Sequence, residues 1–285
     1  MRIGVAVLPA DPWPQAAQRV RHLEALGFAH LWTYDHLSWR RFRDSDWFGA
    51  VPWLTGVAAI TERIRLGTLV ASPNFRHPVT LAKDVLTLDH ISAGRLTVGI
   101  GAGGTGYDAT VFAGEVPSPR ERADRLADFL EVMDGLLTRP TYSTDNSRYP
   151  VNAAQNIPAC VQRPRVPFLV AAAGRRTLGM AARYGQGWVT YGRDGDRTLA
   201  DYEAGVIQQA AVLDEQCERL GRDPATIDRV LVSSHRLTGT DVVEELLGIC
   251  ERAGMTDLII HDPRPGDTEL DSDPQVMDRI AAEFL

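Results

Sequence analysis

Lysine is almost absent from this chain: of its 30 basic residues only Lys83 is a lysine, and the rest are arginines. Catalysis through a Schiff base needs that amine at a strand end, and Lys83 falls inside a helical pattern, so this chemistry is excluded. Cysteine is nearly as scarce. Cys160, Cys217 and Cys250 lie far apart with no metal-ligand spacing, and an odd, scattered count fits a reducing compartment. Positive charge is not in excess either. A net charge of −7 argues against a nucleic-acid or anionic-membrane surface, both of which call for clustered Lys and Arg. No run approaches the roughly 18 apolar residues of a membrane span. The opening MRIGVAVLPADPW is too short an apolar stretch for a signal peptide and passes straight into a strand pattern. These absences lead us to expect a cytoplasmic protein that acts on a small molecule.

What the chain does have is apolar material in a regular order. At 44% hydrophobic and 24% charged residues it can fill a large core. Strand-like runs fall at 3–8, 30–34, 64–70, 95–101, 167–173, 187–192, 229–234 and 257–261. They are short, rich in Val, Ile and Leu, and continuous rather than alternating, as parallel strands buried on both faces should be. Helical patterns lie at 14–27, 53–62, 79–91, 175–184, 198–220, 241–253 and 274–284. Another follows Pro117, where Ser118 and Glu121 have the spacing of a capping box and Pro119 suits the first helical position. Eight strand-then-helix units predict an α/β fold, a single-domain (β/α)8 TIM barrel over 1–285, with a doubly wound open sheet as the alternative. Residues 139–165 have no period, and we expect an irregular, lid-like insertion there.

In a barrel, chemistry gathers at the C-terminal ends of the strands. Strand 2 ends in Asp35-His36 among Trp32, Tyr34, Trp39, Trp47 and Trp53, aromatics that suit a ring-binding pocket. His235 and His261 end later strands. GIGAGG (99–104) satisfies the dinucleotide fingerprint literally, but no helix follows at once to receive a pyrophosphate. The glycines instead suit a turn with positive φ, or a flat wall for a planar ring. AAAGRR (171–176) runs from strand to helix through small residues, a natural phosphate site or an ordinary βα turn. No facing strand-end carboxylates suit a glycosidase, and no ligand set suits a metal. A bound cofactor with its own reactivity is what remains.

Residues 88–104, LDHISAGRLTVGIGAGG, carry Asp89-x-x-Ser92-x-Gly94-Arg95 followed by a short strand into Gly99-x-Gly101-x-Gly103. This pattern resembles the bacterial luciferase-like oxidoreductases, and the resemblance extends to 64–78, 171–189 and the Tyr34-Asp35-His36 stretch. It implies a (β/α)8 barrel that uses reduced FMN or the deazaflavin coenzyme F420. The F420-dependent branch is the more similar, with Asp35 and His36 matching its aspartate-histidine pair. The resemblance also implies a bulge at the end of strand 3, often with a non-proline cis peptide, at Leu69-Val70. By the same resemblance, Leu69, Val70, Gly101, Ala102, Gly103 and Gly104 would flank the ring, and Ala172, Ala173, Gly174 and Arg175 would hold the phosphate. His36 would move the proton that accompanies hydride transfer, steadied by Asp35.

The chain departs from the sugar-phosphate dehydrogenases of that branch. They carry a glutamate just after the glycine run, where this chain has Gly104, with Tyr107-Asp108 a few residues on. They also have a tryptophan four residues after the histidine, where Arg40 stands, with Trp39 one place early. We therefore expect an F420-dependent oxidoreductase acting on a small organic substrate, assembled as a homodimer. The alternatives are an FMN-dependent monooxygenase and a non-catalytic flavin-binding barrel. A basic row of Arg40, Arg41, Arg43, Arg175 and Arg176 would favour the F420 tail.

Overall fold

The computed structural model of the chain describes residues 1–285 apart from Ala113, Asp194, Asp196, Arg197, Ser234 and Thr268 and the side chain of Arg41. Its strands are β1 (Arg2–Ala6), β2 (His30–Thr33), β3 (Arg65–Thr68), β4 (Leu96–Ile100), β5 (Thr141–Thr144), β6 (Val151–Gln155), β7 (Phe168–Ala171), β8 (Gly187–Thr190), β9 (Asp228–Val232) and β10 (Asp257–His261). Its helices are α1 (Trp13–Leu26), α2 (Ala50–Ile60), α3 (Pro78–Ile91), α4 (Pro119–Thr138), α5 (Arg175–Tyr184), α6 (Leu199–Arg219), α7 (Thr240–Arg252) and α8 (Val276–Phe284). All but β5 and β6 join one closed parallel barrel in the order β1-β10-β9-β8-β7-β4-β3-β2. The predicted (β/α)8 barrel is thus the observed fold, and the open sheet is excluded.

The chain divides into two compact units. In the unit made of residues 1–8, 18–32 and 169–285, β8 and β10 are buried along their whole length. This accounts for the apolar runs Trp188-Val189 and Leu258 to Ile260 at their centres. A polar network crosses three strands of this unit. Arg2 Nε and His30 Nε2 donate to Asp257 at 2.6 and 3.0 Å, while Trp32 Nε1 donates to His30 Nδ1 at 2.6 Å. The His30 ring fits only because residue 4 is glycine: a Cβ there would lie 1.8 Å from His30 Nδ1.

In the unit made of residues 9–17 and 33–168, α4 is the longest helix. Ser118 and Glu121 form the expected box, with Ser118 N–H donating to Glu121 Oε2 at 2.8 Å and Glu121 N–H to Ser118 Oγ at 3.3 Å. The buried face of α4 carries Leu126, Phe129, Leu130, Met133 and Leu136, all fully buried, each contributing about 2 kcal/mol by its burial. Residues 139–165 are not irregular throughout. TYST and VNAAQ pair as the antiparallel β5–β6 sheet, and Asn146 Oδ1 accepts from Arg148 and Tyr149 N–H in the turn between them. The alternation of side chains in two short, largely exposed strands is too brief to stand out as a period. After it come two cis prolines, Pro158 and Pro164. Among the described residues no helix is long and apolar enough to cross a membrane.

Candidate active site

The hallmark motif is a structural fastening. Buried Asp89 accepts from the N–H groups of Val161 and Gln162 and from Gln162 Nε2. The Arg95 guanidinium donates to the carbonyls of Ser92, Ile64, Ala58 and Thr61 and to Thr61 Oγ1. Gly94 takes φ +82 and donates its N–H to the Asp89 carbonyl. These bonds fix where β4 begins, and so where its glycine-rich end lies.

Beyond β2 the chain presents His36. Its Nδ1 lies 2.5 Å from Asp108 Oδ2, and Leu37 N–H donates to Asp108 Oδ1 at 3.0 Å. A carboxylate only accepts, so Nδ1 carries a hydrogen, and in the neutral ring the lone pair then lies on Nε2. Trp47 Nε1 donates to the His36 carbonyl at 2.8 Å. Trp39 stacks against the imidazole at 26°, with ring centroids 6.3 Å apart, and Tyr34 meets it edge-on at 6.2 Å. Although Trp39 stands one place early in sequence, its ring still reaches the histidine. The adjoining Arg40 takes φ +45 and lies over the Trp39 ring.

Asp35 does not steady His36. It is fully buried and accepts from Arg76 Nε and Nη2 at 2.9 and 2.6 Å. Burial pulls the Arg76 guanidinium down, but Asp35, with Asp84 and Asp108, holds its pKa above the ordinary value. Burial pushes the Asp84 carboxyl up against the pull of Arg76. Asp35 fails as the partner for a geometric reason. Adjacent residues leaving a strand point to opposite sides, so the pair in sequence is split between two partners.

In the same unit, the ends of β3 and β4 are bonded to each other and to the end of β2. Leu69-Val70 is a cis non-proline peptide, as the resemblance implied, and Leu69 N–H donates to the Thr33 carbonyl at 2.8 Å. Ala71 N–H donates to the Gly99 carbonyl and Gly101 N–H to the Ala71 carbonyl, which ties the bulge to the glycine run. A Cβ at Gly99 would meet the Thr68 carbonyl oxygen at 1.9 Å, and one at Gly103, where φ is +80, would meet Asn74 at 2.7 Å. Gly104 has open space around it, and Ala102 is half-buried. Gly103 thus takes the positive φ expected of a turn, Gly99 permits a close approach of backbone, and a Cβ at Gly104 would meet nothing within 4 Å.

Sequence reasoning missed Arg122 and Arg125. Arg122 Nη1 donates to the Gly103 carbonyl at 2.9 Å, and Arg125 Nη2 donates to Asn74 Oδ1. The Nε of each is buried without a hydrogen-bond partner among the described residues. Burial, with the nearby Arg148 and Arg122, lowers the Arg125 pKa against the opposing pull of Tyr149. Two guanidiniums bonded to neutral oxygens, each with a buried Nε–H unsatisfied, leave positive charge beside Gly103 and Asn74. Their spacing of three on one helix face was the available signal.

In the other unit, Gly174 caps α5 with extended backbone, and open space surrounds it. Ala172 is buried and Ala173 exposed. Arg175 is engaged, its Nη1 and Nη2 donating to Glu215 at 2.7 and 2.5 Å. His261 Nδ1 lies 2.8 Å from the Ser233 carbonyl and His235 Nδ1 3.0 Å from Ser233 Oγ. Trp32 belongs to this unit and is bound to His30, whereas Trp53, in the same unit as His36, packs edge-on against Trp13. Neither indole contributes to the group around His36, which draws on Tyr34, Trp39 and Trp47.

A family described as luciferase-like monooxygenase matches residues 1–241. The chain belongs to this family. It is 40% identical over 148 residues to an uncharacterized protein of Mycobacterium tuberculosis, 51% of this chain and 51% of that one, so the match spans about half the length of that relative. To an F420-dependent hydroxymycolic acid dehydrogenase of the same organism it is 30% identical over 234 residues, 79% of this chain and 61% of the relative. To an F420-dependent glucose-6-phosphate dehydrogenase of Beutenbergia cavernae it is 27% identical, over 92% of this chain and 89% of the relative. Among solved structures, an F420-dependent secondary alcohol dehydrogenase in complex with an F420-acetone adduct superposes with a TM-score of 0.76 at 17% identity, covering 98% of each chain. A monooxygenase from Streptomyces bottropensis gives 0.76 at 20% identity, covering 100% of this chain and 98% of that one. At such identities these two structures speak for the family's barrel alone.

Proposed function

We propose that this chain is an F420-dependent oxidoreductase that transfers hydride between the deazaflavin C5 and a small organic substrate. The observation that carries the reading is the His36–Asp108 pair, set among aromatic rings in the unit that also holds the cis Leu69-Val70 bulge and the Gly101–Gly104 wall. The relatives named as F420-dependent enzymes support the choice of cofactor.

The residues present fit a flat, anionic cofactor. Gly101, Ala102, Gly103 and Gly104 offer a ring surface with few side chains, with Leu69 and Val70 as its other flank, and the guanidiniums of Arg122 and Arg125 beside Gly103 and Asn74 supply positive charge toward an anionic tail. Ala172, Ala173, Gly174 and Arg175 are proposed to hold phosphate through the open backbone at Gly174 rather than through Arg175, whose charge Glu215 meets. When bound, the deazaflavin supplies hydride exchange at C5 and none of the acid–base chemistry.

That chemistry falls to His36. With Nδ1–H donated to Asp108, Nε2 takes the proton from an alcohol as hydride leaves, or returns it to a carbonyl oxygen in the reverse direction. Asp35 acts at one remove, as the counter-ion that holds Arg76 and the strand end.

Titration of the purified protein with F420 and with FMN, followed by fluorescence, tests the reading. Saturable F420 binding is expected, and His36→Phe should slow turnover while leaving F420 affinity nearly unchanged. FMN binding with none for F420 would overturn it in favour of the FMN-dependent monooxygenase. Bound F420 without turnover on any hydride acceptor would leave a flavin-binding barrel.

A further inference from the structure

We propose that Asn74 is the positioning residue of the glycine wall: its amide holds Gly103 and Gly104 in place before any cofactor arrives, and the affinity for a planar ring depends on it. The inference rests on the oxidoreductase reading above, in which those glycines face the ring. The lack of side chains that bares this stretch also leaves it loose, because glycine loses more conformational freedom on ordering than any other residue. A ring that had to order the wall as it bound would bind more weakly. Stiffness must therefore come from outside the stretch.

Asn74 supplies it by direct contact. Its Nδ2 donates to the Gly104 carbonyl at 3.1 Å. A Cβ on Gly103 would lie 2.7 Å from its Cγ and Nδ2 and 2.8 Å from its Oδ1, so the amide fills the side that glycine leaves open there. Asn74 is itself fixed at both ends. Its N–H donates to Ser72 Oγ at 3.4 Å, Arg76 N–H donates to the Ser72 carbonyl at 3.2 Å, and the Arg76 guanidinium is bonded to buried Asp35. At its tip, Oδ1 accepts from Arg125 Nη2.

The two partners select an amide. A carbonyl only accepts and a guanidinium only donates, so the side chain between them must donate at one end and accept at the other. Asparagine does both, with Nδ2 toward Gly104 and Oδ1 toward Arg125. An aspartate would still serve Arg125 but would turn an acceptor toward the Gly104 carbonyl. An alanine would serve neither.

The test compares the full chain with Asn74→Asp and Asn74→Ala, first by amide relaxation after glycine-selective isotope labelling without cofactor, then by fluorescence titration with F420. Order parameters at Gly103 and Gly104 should be about 0.85 in the unaltered chain and fall below about 0.6 in both variants, with Gly4 and Gly187 unchanged. The F420 dissociation constant should rise about tenfold in both. Aspartate meets the charge of Arg125 and alanine leaves it unpaired, so an equal loss in the two belongs to the wall and not to charge. An Asn74→Asp chain as rigid and as tight-binding as the original overturns the proposal, since that variant keeps only the bond to Arg125. Looser glycines with unchanged affinity overturn it too, as do affinities that move in opposite directions. If the unaltered chain binds FMN and not F420, the same loss measured with FMN removes the F420 reading and leaves Asn74 in its role. If it binds neither ring, both fall.

Discussion

In the role proposed for it, His36 depends on a residue 72 positions away. Asp108 fixes which ring nitrogen carries hydrogen, so replacing it by an amide allows the other tautomer without emptying the space. For Asp108→Asn we expect kcat to fall about a hundredfold, a changed pH–rate profile, and an F420 dissociation constant within about twofold of the original. Steady-state kinetics and fluorescence titration measure the three together, and an unchanged kcat would show that Asp108 only packs. The position of His36 just beyond β2 was legible in the sequence, because the strand before it reads as an apolar run. Its partner was not, since the pairing is closed by a short 3-10 turn, Tyr107–Ala109, whose loop has no periodic pattern. Asp35, the obvious neighbour, is drawn off by Arg76, and a sequence-adjacent pair gives no hint of that division.

At the scale of elements, every barrel strand could be read in advance because burial on both faces writes itself as a continuous apolar run. The β5–β6 hairpin could not, having mostly exposed strands. The start of α4 is visible as Ser118 and Glu121, while the matching box of Thr198 and Asp201 at α6 is harder to see because aspartate replaces the usual glutamate. Strand β10 carries a charge on its first residue, Asp257, inside an apolar run. Burial raises its carboxyl, but hydrogen bonds from His30 and Arg2 more than offset this and hold it at about 2, below the ordinary 3.8. A depressed carboxyl stabilises the fold above its unfolded value and loses that contribution as pH falls through the folded one. We expect about 2 kcal/mol from this group at neutral pH, lost between about pH 4 and pH 2. Urea unfolding across that range should show it, and Asp257→Asn should be less stable at pH 7 with a shallower acid limb.

On the scale of the whole molecule, the three cysteines report on the fold without taking part in chemistry. All are buried, and burial raises each thiol, Cys250 to about 12. Only the thiolate attacks disulfide reagents. The native chain should therefore leave 5,5′-dithiobis(2-nitrobenzoate) almost untouched at about pH 8 and react fully in concentrated guanidinium chloride; fast labelling of the native protein would contradict this burial. The luciferase-like pattern was likewise readable as a whole, although its most visible part, Asp89 to Arg95, anchors β4 rather than touching the reacting atoms. Gly4 has a consequence for how such a sequence drifts. A side chain at position 4 would occupy the His30 ring, and a smaller residue at 30 would strand both Asp257 and Trp32. Substitutions at these four positions are therefore tied to one another. A distant sequence that keeps the set fixes the register of three strands at once, even where little else can be aligned.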